Sequence, residues 1–160
     1  MIGSRSLVYH RINVDADGVI CAAHHYDACL ESFGTAAGYE GRIRYLAFLR
    51  EKVEEFPDGC LLAYLEGRCL GHLELQVPYG LTIGYVNLFY VTPPFRGQGF
   101  GRLMHEHAER YFRSWEANRV ELHVSPTNRR AVSFYKAMGY SFVQEEHRRQ
   151  GRLWCMAKSL

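Results

Sequence analysis

The stretch from residue 82 to residue 124 leaves the chain least freedom, because it reads as strand, glycine-rich turn, helix and strand without a break. Residues 82–91 are nearly continuously apolar, the pattern of a strand buried on both faces. Pro93, Pro94 and the glycines that follow end it. Across residues 99–115, Met104, Ala108, Tyr111, Phe112 and Trp115 form a stripe at helical spacing. Residues 119–124 return to a β run. Strand, amphipathic helix and strand in that order predict a parallel crossover.

The flanks extend the same α/β pattern. Residues 7–12 read as a short first strand. Asp15 and Asp17 are placed to cap a helix over residues 19–33, which Gly34 and Gly38 break. A second helix over residues 40–56 carries Ile43, Leu46, Ala47, Leu49 and Val53, and stops at Pro57-Asp58-Gly59. Residues 60–65 and 69–77 form a hairpin around Glu66-Gly67-Arg68. In its second strand Leu73, Leu75 and Val77 share one face, and His72, Glu74 and Gln76 the other. Residues 128–138 form a helix closed by Gly139, with Ala131, Phe134, Tyr135 and Met138 on one side. Residues 140–143 and 153–157 are the last strands, linked by the charged segment 145–152. The expected order is β-α-α-β-β-β-α-β-α-β-β, one mixed α/β domain over residues 1–160 with a central mixed sheet flanked by helices.

Charge and cysteine usage exclude several classes. A formal net charge of +2, with no basic stripe, argues against nucleic acid. Cys21, Cys29, Cys60, Cys69 and Cys155 contain no CxxC pair, so neither zinc nor a redox dithiol is signalled. His24, His25, His105 and His107 lack ligand-spaced partners and read as surface histidines, so no metal is expected. No apolar run reaches membrane-spanning length and no signal core is present, which predicts a cytoplasmic protein with reduced thiols.

The turn itself is Val91-Thr92-Pro93-Pro94-Phe95-Arg96-Gly97-Gln98-Gly99-Phe100-Gly101-Arg102. A helix N-terminus presents unpaired N–H groups and about half a positive charge, which suits an anion. Gly97, Gly99 and Gly101 let the backbone close on a diphosphate, and Arg96 and Arg102 can add charge-assisted bonds. A P-loop is excluded because GxxxxGK[ST] is absent, and the GxGxG spacing is not the GxGxxG of a dinucleotide fold.

Two motifs in sequence place this loop in a wider pattern. Arg96-x-x-Gly99-x-Gly101, after Leu88-Phe89-Tyr90-Val91, resembles the pyrophosphate motif Q/R-x-x-G-x-G/A of the GCN5-related N-acetyltransferase (GNAT) superfamily. Asn128-x-x-Ala131-x-x-Phe134-Tyr135-x-x-x-Gly139-Tyr140 resembles that superfamily's Asn…Phe-Tyr…Gly-Phe motif. The clear resemblance covers residues 88–142, about a third of the chain, and the element order fits the GNAT-like fold over nearly all of it. It places a cofactor-binding core at about residues 82–143 and the acceptor side mainly at about 15–78.

The resemblance implies acetyl-CoA as donor and a primary amine of a small molecule or protein as acceptor, joined by direct attack in a ternary complex. Main-chain groups of Phe89, Tyr90 and Val91 would bond the pantetheine arm, with a main-chain N–H near Val91 polarising the thioester carbonyl. The amides of Gly97, Gln98, Gly99, Phe100, Gly101 and Arg102 would hold the pyrophosphate, and Asn128 would contact pantetheine. Tyr135 takes the position of the general acid that protonates the departing thiolate. A phenol near pKa 10 beside a thiol near 8.5 makes that transfer reasonable.

The base is open. His123 stands where the ribosomal-protein alanine acetyltransferases place a catalytic Glu, and Glu74 and Glu121 are the alternatives. Arg148, Arg149 and Arg152 read as a solvated turn, with a contact to the adenosine 3′-phosphate as the alternative. Dimers are common in the family, so a homodimer is an expectation too. Two other functions fit the same residues: a non-catalytic acyl-CoA sensor or interaction module, and a transferase of longer acyl groups.

Overall fold

A computed structural model describes residues 5–160, so the first four residues of the expected domain lie outside it. Its elements are β1 (Val8–Arg11), α1 (Val14–Phe33), α2 (Arg42–Glu55), β2 (Cys60–Leu65), β3 (Arg68–Gln76), β4 (Ile83–Val91), α3 (Phe100–Ser114), β5 (Arg119–Val124), α4 (Arg129–Ala137), β6 (Ser141–Arg148) and β7 (Gly151–Ser159). The strands form one seven-stranded sheet in the order β1-β2-β3-β4-β5-β7-β6. β4 and β5 pair in parallel, as the crossover requires, and the other neighbours are antiparallel.

Each sheet face carries its own core. On one face Phe100, Met104, Ala108 and Phe112 of α3, with Val132 and Tyr135 of α4, pack on Leu73, Leu75, Val86, Val120 and Leu122. Close seating is possible because β3 and β4 offer glycines under α3. A Cβ on Gly71 would lie 2.4 Å from Met104 Sδ, and one on Gly84 would lie 2.3 Å from Phe112 Cδ1. On the other face Val14, Cys21 and Ala22 of α1 and Tyr45 and Leu49 of α2 cover Ile12, Cys60 and Leu62.

Four local expectations change. α1 starts earlier than expected, and its cap is Asn13, whose Oδ1 accepts from the amides of Asp15 (3.0 Å) and Ala16 (3.2 Å). Asp17 completes the reciprocal box by accepting from the Asn13 amide at 2.8 Å. Ile43 leaves the α2 stripe and is exposed, because Tyr45 and Leu49 set the buried face. The segment 145–152 is not a linker but the distal end of the β6–β7 hairpin. β6 is an edge strand exposed on both faces, so it accommodates charge, paired as Glu145–Arg152 and Glu146–Arg148. Finally, β4 alternates between buried and part-exposed residues instead of being buried throughout, since one of its flanks opens onto a cleft.

Candidate active site

The cleft arises from two irregularities in β4. Parallel pairing with β5 begins at Ile83↔Arg119 and ends at Val86↔Leu122, although β4 runs on to Val91 and β5 to Val124. At the same place β4 carries an extra residue against β3: Val86 pairs with Leu75 and Leu88 with Glu74, leaving Asn87 as a bulge. A bulge bends and twists its strand, so the two strands part as a fork. The gap holds a cavity of about 480 Å3.

Ladder phase determines what the fork's edge offers. Thr92 donates to the Leu70 carbonyl at 2.8 Å, so Tyr90 and Leu88 direct their main-chain groups toward β3. Those of Phe89 and Val91 therefore face the gap. The Val91 carbonyl is already taken by Arg96 Nε at 2.7 Å, which leaves the Val91 N–H for a guest. Phe89, Ala131, Phe134 and Met138 supply apolar walls. The α4 stripe read from the sequence is thus a cleft wall.

At the mouth, the loop enters α3 through Gly99, its N-cap, at φ 87°. Gly97 is also left-handed at φ 71°, and no atom lies within 4 Å of a Cβ built on either, so the main chain is open to the cleft. Gly101 permits close helix contact, since a Cβ there would sit 3.1 Å from Phe134 Cε2. Arg102 and Arg130 line the same mouth. Unpaired amides at a helix start, two left-handed glycines and flanking guanidinium groups suit a diphosphate, with an apolar slot behind it for a pantetheine-length arm.

The expected cofactor residues divide accordingly. Phe89, Tyr90, Val91, Gly97, Gly99, Gly101, Arg102, Asn128 and Tyr135 line the cleft. Gln98 turns its side chain onto the Pro94 carbonyl at 2.8 Å, and Phe100 is buried in the core, so only their main chain belongs to the loop's open face. Arg96 lines the cleft but is committed elsewhere: besides Val91 it pairs with Glu31 (3.1 Å) and Asp27 (3.4 Å) of α1 and lies over the Tyr90 ring. It is a strut between loop and helix. Asn128 caps α4 by accepting from Ala131 N–H at 3.3 Å, which leaves its NH2 group for the cleft.

Tyr135 is held by ring contacts with Phe89, Phe134 and Tyr140, and only 8% of its surface is exposed. Burial, with a smaller push from Tyr85, raises its pKa above that of a free phenol, so the hydroxyl stays protonated at any working pH.

Of the base candidates, His123 reaches the cleft at the fork's apex, just beyond the last parallel pair. Both of its ring nitrogens have neighbours. Nδ1 lies 2.7 Å from the Tyr85 hydroxyl, and Nε2 lies 3.2 Å from both Glu146 Oε2 and Arg148. Hydrogen bonds from His123, Arg148 and Gln144 hold the Glu146 carboxyl well below its usual range. Glu146 is thus an anion that holds the His123 ring in place through Nε2.

Glu74 is elsewhere than expected. It shares the polar face as its parity requires, but α1 and α2 cover that face, leaving it 2% exposed and outside the cleft lining. Its partners are the Tyr45 hydroxyl, His72 Nε2 at 3.2 Å and Asn87 Nδ2 at 2.7 Å. Burial opposes its charge, but these contacts outweigh burial and lower its pKa. Glu121 is engaged by Arg119 at 2.9 Å. The sequence pattern does not single out Tyr85, Asn87 or Glu146. The first two have no motif, and the third lies in the segment expected to be a linker.

His24 and His105 are buried instead of lying on the surface. No cluster of three or more metal-ligating side chains occurs among the described residues, and none of the described helices is long and apolar enough to cross a membrane. Arg148 and Arg152 pair within the β6–β7 hairpin and do not line the cleft.

Known proteins place this geometry in a family. The sequence model of the acetyltransferase (GNAT) family matches residues 18–140. Among solved structures, Ard1 from Thermoplasma volcanium superposes with a TM-score of 0.75 at 18% identity, over 96% of this chain and 97% of that one. Spermidine N-acetyltransferase from Vibrio cholerae, solved with CoA and spermine, gives 0.74 at 16%, over 96% and 95%. Ribosomal-protein-alanine N-acetyltransferase from Brucella melitensis gives 0.71 at 18%, over 96% and 99%. At these identities the superpositions speak for the fold. The family match covers most of the chain, and the chain belongs to the GNAT acetyltransferase family, whose acetyl donor is acetyl-CoA.

Proposed function

We propose that the chain is an N-acetyltransferase that moves an acetyl group from acetyl-CoA to a primary amine by direct attack in a ternary complex. The observation that carries this reading is the fork. Its mouth offers an anion site, its slot offers free main-chain groups, His123 and Asn87 flank its apex, and Tyr135 lines its wall.

When bound, acetyl-CoA supplies an acetyl group activated as a thioester. The chain's residues supply grip, orientation and proton transfer. The α3 amides and Arg102 hold the diphosphate, the Phe89 and Val91 main chain aligns the arm, and the Val91 N–H polarises the reacting carbonyl. His123, oriented by Tyr85 at Nδ1 and Glu146 at Nε2, is the group assigned to receive the proton released by the attacking nitrogen. Tyr135 stabilises the departing sulfur with its hydroxyl hydrogen. The acceptor side is assigned to α1, α2 and the segment between them, where that segment meets the β6–β7 turn. There Gly38 approaches Gln150 of the β6–β7 turn so closely that a Cβ would lie 2.8 Å from Gln150 Cγ.

Calorimetry with acetyl-CoA, joined to a CoA-release assay over peptides and small primary amines, tests the reading. Binding with release on at least one acceptor is expected. Binding without release on any acceptor would favour an acyl-CoA sensor, and a preference for succinyl-CoA in kcat/KM would favour a longer donor. No binding would remove all three. We further place the protein in the cytosol with its five free thiols, which fractionation and thiol labelling check.

A further inference from the structure

We infer that Asn87 binds the acceptor nitrogen, and that the buried Glu74, held by Tyr45, fixes the orientation of its amide. The inference rests on the acetyltransferase reading and gives a side-chain reason for its restriction to amines whose nitrogen bears two hydrogens. Asn87 is the first β4 residue past the last parallel pair, as His123 is on β5, so the two flank the apex of the fork. It is also the bulge residue, exposed in the cleft, whereas Glu74 directly behind it is buried.

The orientation of the amide follows from that neighbour. A carboxylate only accepts hydrogen bonds, so Glu74 Oε2 at 2.7 Å takes the NH2 end of Asn87 and directs the carbonyl oxygen away from Glu74. The other carboxylate oxygen is engaged by the Tyr45 hydroxyl, with His72 Nε2 at 3.2 Å, so Glu74 is itself fixed. A buried carboxylate costs stability unless its bonds are made. Here those bonds orient one exposed amide beside the proposed base. The free Oδ1 is a hydrogen-bond acceptor polarised by an anion behind it.

The chemistry then selects the acceptor. A neutral primary amine attacks through its lone pair and carries two hydrogens. One leaves as a proton to His123 as the C–N bond forms and the C–S bond breaks. The other stays on nitrogen and remains bonded to Asn87 from attack through to the product amide. A secondary amine or a hydroxyl has a single hydrogen, which must leave, so neither can hold the Asn87 contact to the end.

A matched pair of CoA derivatives tests this whichever amine the protein acetylates. In one, the sulfur carries CH2C(O)NHCH3; in the other it carries CH2C(O)OCH3, which lacks the N–H. Calorimetry on the wild-type chain should show the amide bound about fivefold tighter, the worth of one neutral hydrogen bond. Asn87→Ala should erase that difference while leaving affinity for CoA unchanged, which also shows that the variant is folded. Equal affinity for amide and ester in the wild type, or a preference that survives Asn87→Ala, overturns the inference and leaves the acetyltransferase reading standing. Failure of the wild type to bind CoA at all would instead remove that reading, and this inference with it.

Discussion

Replacing Tyr135 with Phe removes one oxygen and keeps the ring that packs on Phe89, Phe134 and Tyr140. The size of the effect depends on what the hydroxyl does. An ordinary phenol, near pKa 10, already lies about 1.5 units above a thiol near 8.5, so full proton transfer to the thiolate is uphill by roughly 2 kcal/mol. Burial raises the Tyr135 pKa further and widens the gap. In the proposed reaction the hydroxyl would therefore act mainly as a hydrogen-bond donor to developing negative charge on sulfur, with solvent completing the protonation after release. A hydrogen bond to a charged group is worth about 1.5–3 kcal/mol, which corresponds to a loss of about 10- to 150-fold in kcat. Steady-state CoA release with the best acceptor, read beside the calorimetric Kd for acetyl-CoA and Tm, tests this. The expected result is a fall in kcat with Kd and Tm nearly unchanged. Unchanged turnover would falsify the assignment, and a loss confined to Kd would make Tyr135 a packing residue of the cleft.

Three further outcomes follow from particular contacts. Gly99→Ala should weaken CoA binding about 5- to 30-fold, measured by calorimetry: space for the methyl exists, but φ 87° costs an L-residue about 1–2 kcal/mol, which the free loop sheds by relaxing and the bound loop must restore. Gly84→Ala should destabilise the fold by about 1–3 kcal/mol in urea, because its Cβ would meet Phe112 at 2.3 Å, and CoA affinity of the folded fraction should persist. Burial lowers the pKa of both His24 and His105 to about 4, below the unfolded value of about 6.5. The unfolded chain then binds more protons between those values, so stability is fully present above about pH 6.5 and is lost as pH falls toward 4. A Tm series over that window should decline, and His105→Gln should flatten it.

The proposed donor half of the site could be read from the sequence because its chemistry is local. Gly97, Gly99 and Gly101 are near neighbours in sequence, and one helix start suffices to make their amides an anion site. The α4 stripe of Ala131, Phe134, Tyr135 and Met138 needed only helical periodicity. The acceptor half depends on register and coverage, which no local pattern encodes. Period two put Glu74 on the polar face of β3 correctly, yet parity is silent about α1 and α2 lying over that face. Asn87 reaches the apex only through a bulge defined by the β3–β4 pairing, and Tyr85, His123 and Glu146 meet from three separate strands. Charge also misled. The segment 145–152 looked too polar for a sheet, but an edge strand exposed on both faces imposes no apolar requirement.

Arg96 shows how the two halves are joined. Its motif position suggests a phosphate contact, but its guanidinium bonds the Val91 carbonyl and reaches Asp27 and Glu31 on α1, while Glu31 also meets Arg130 at 3.0 Å. Without Arg96, that carbonyl would face the gap as an unpaired acceptor beside the N–H proposed to polarise the thioester, and would repel the oxygen it has to receive. Engaged by a cation, it is neutralised and the adjacent amide dominates the local field. The same side chain anchors the C-terminal end of α1 through Asp27 and Glu31. In the proposed reading the phosphate role then falls to the α3 amides and Arg102, while Arg96 ties the end of β4 to α1.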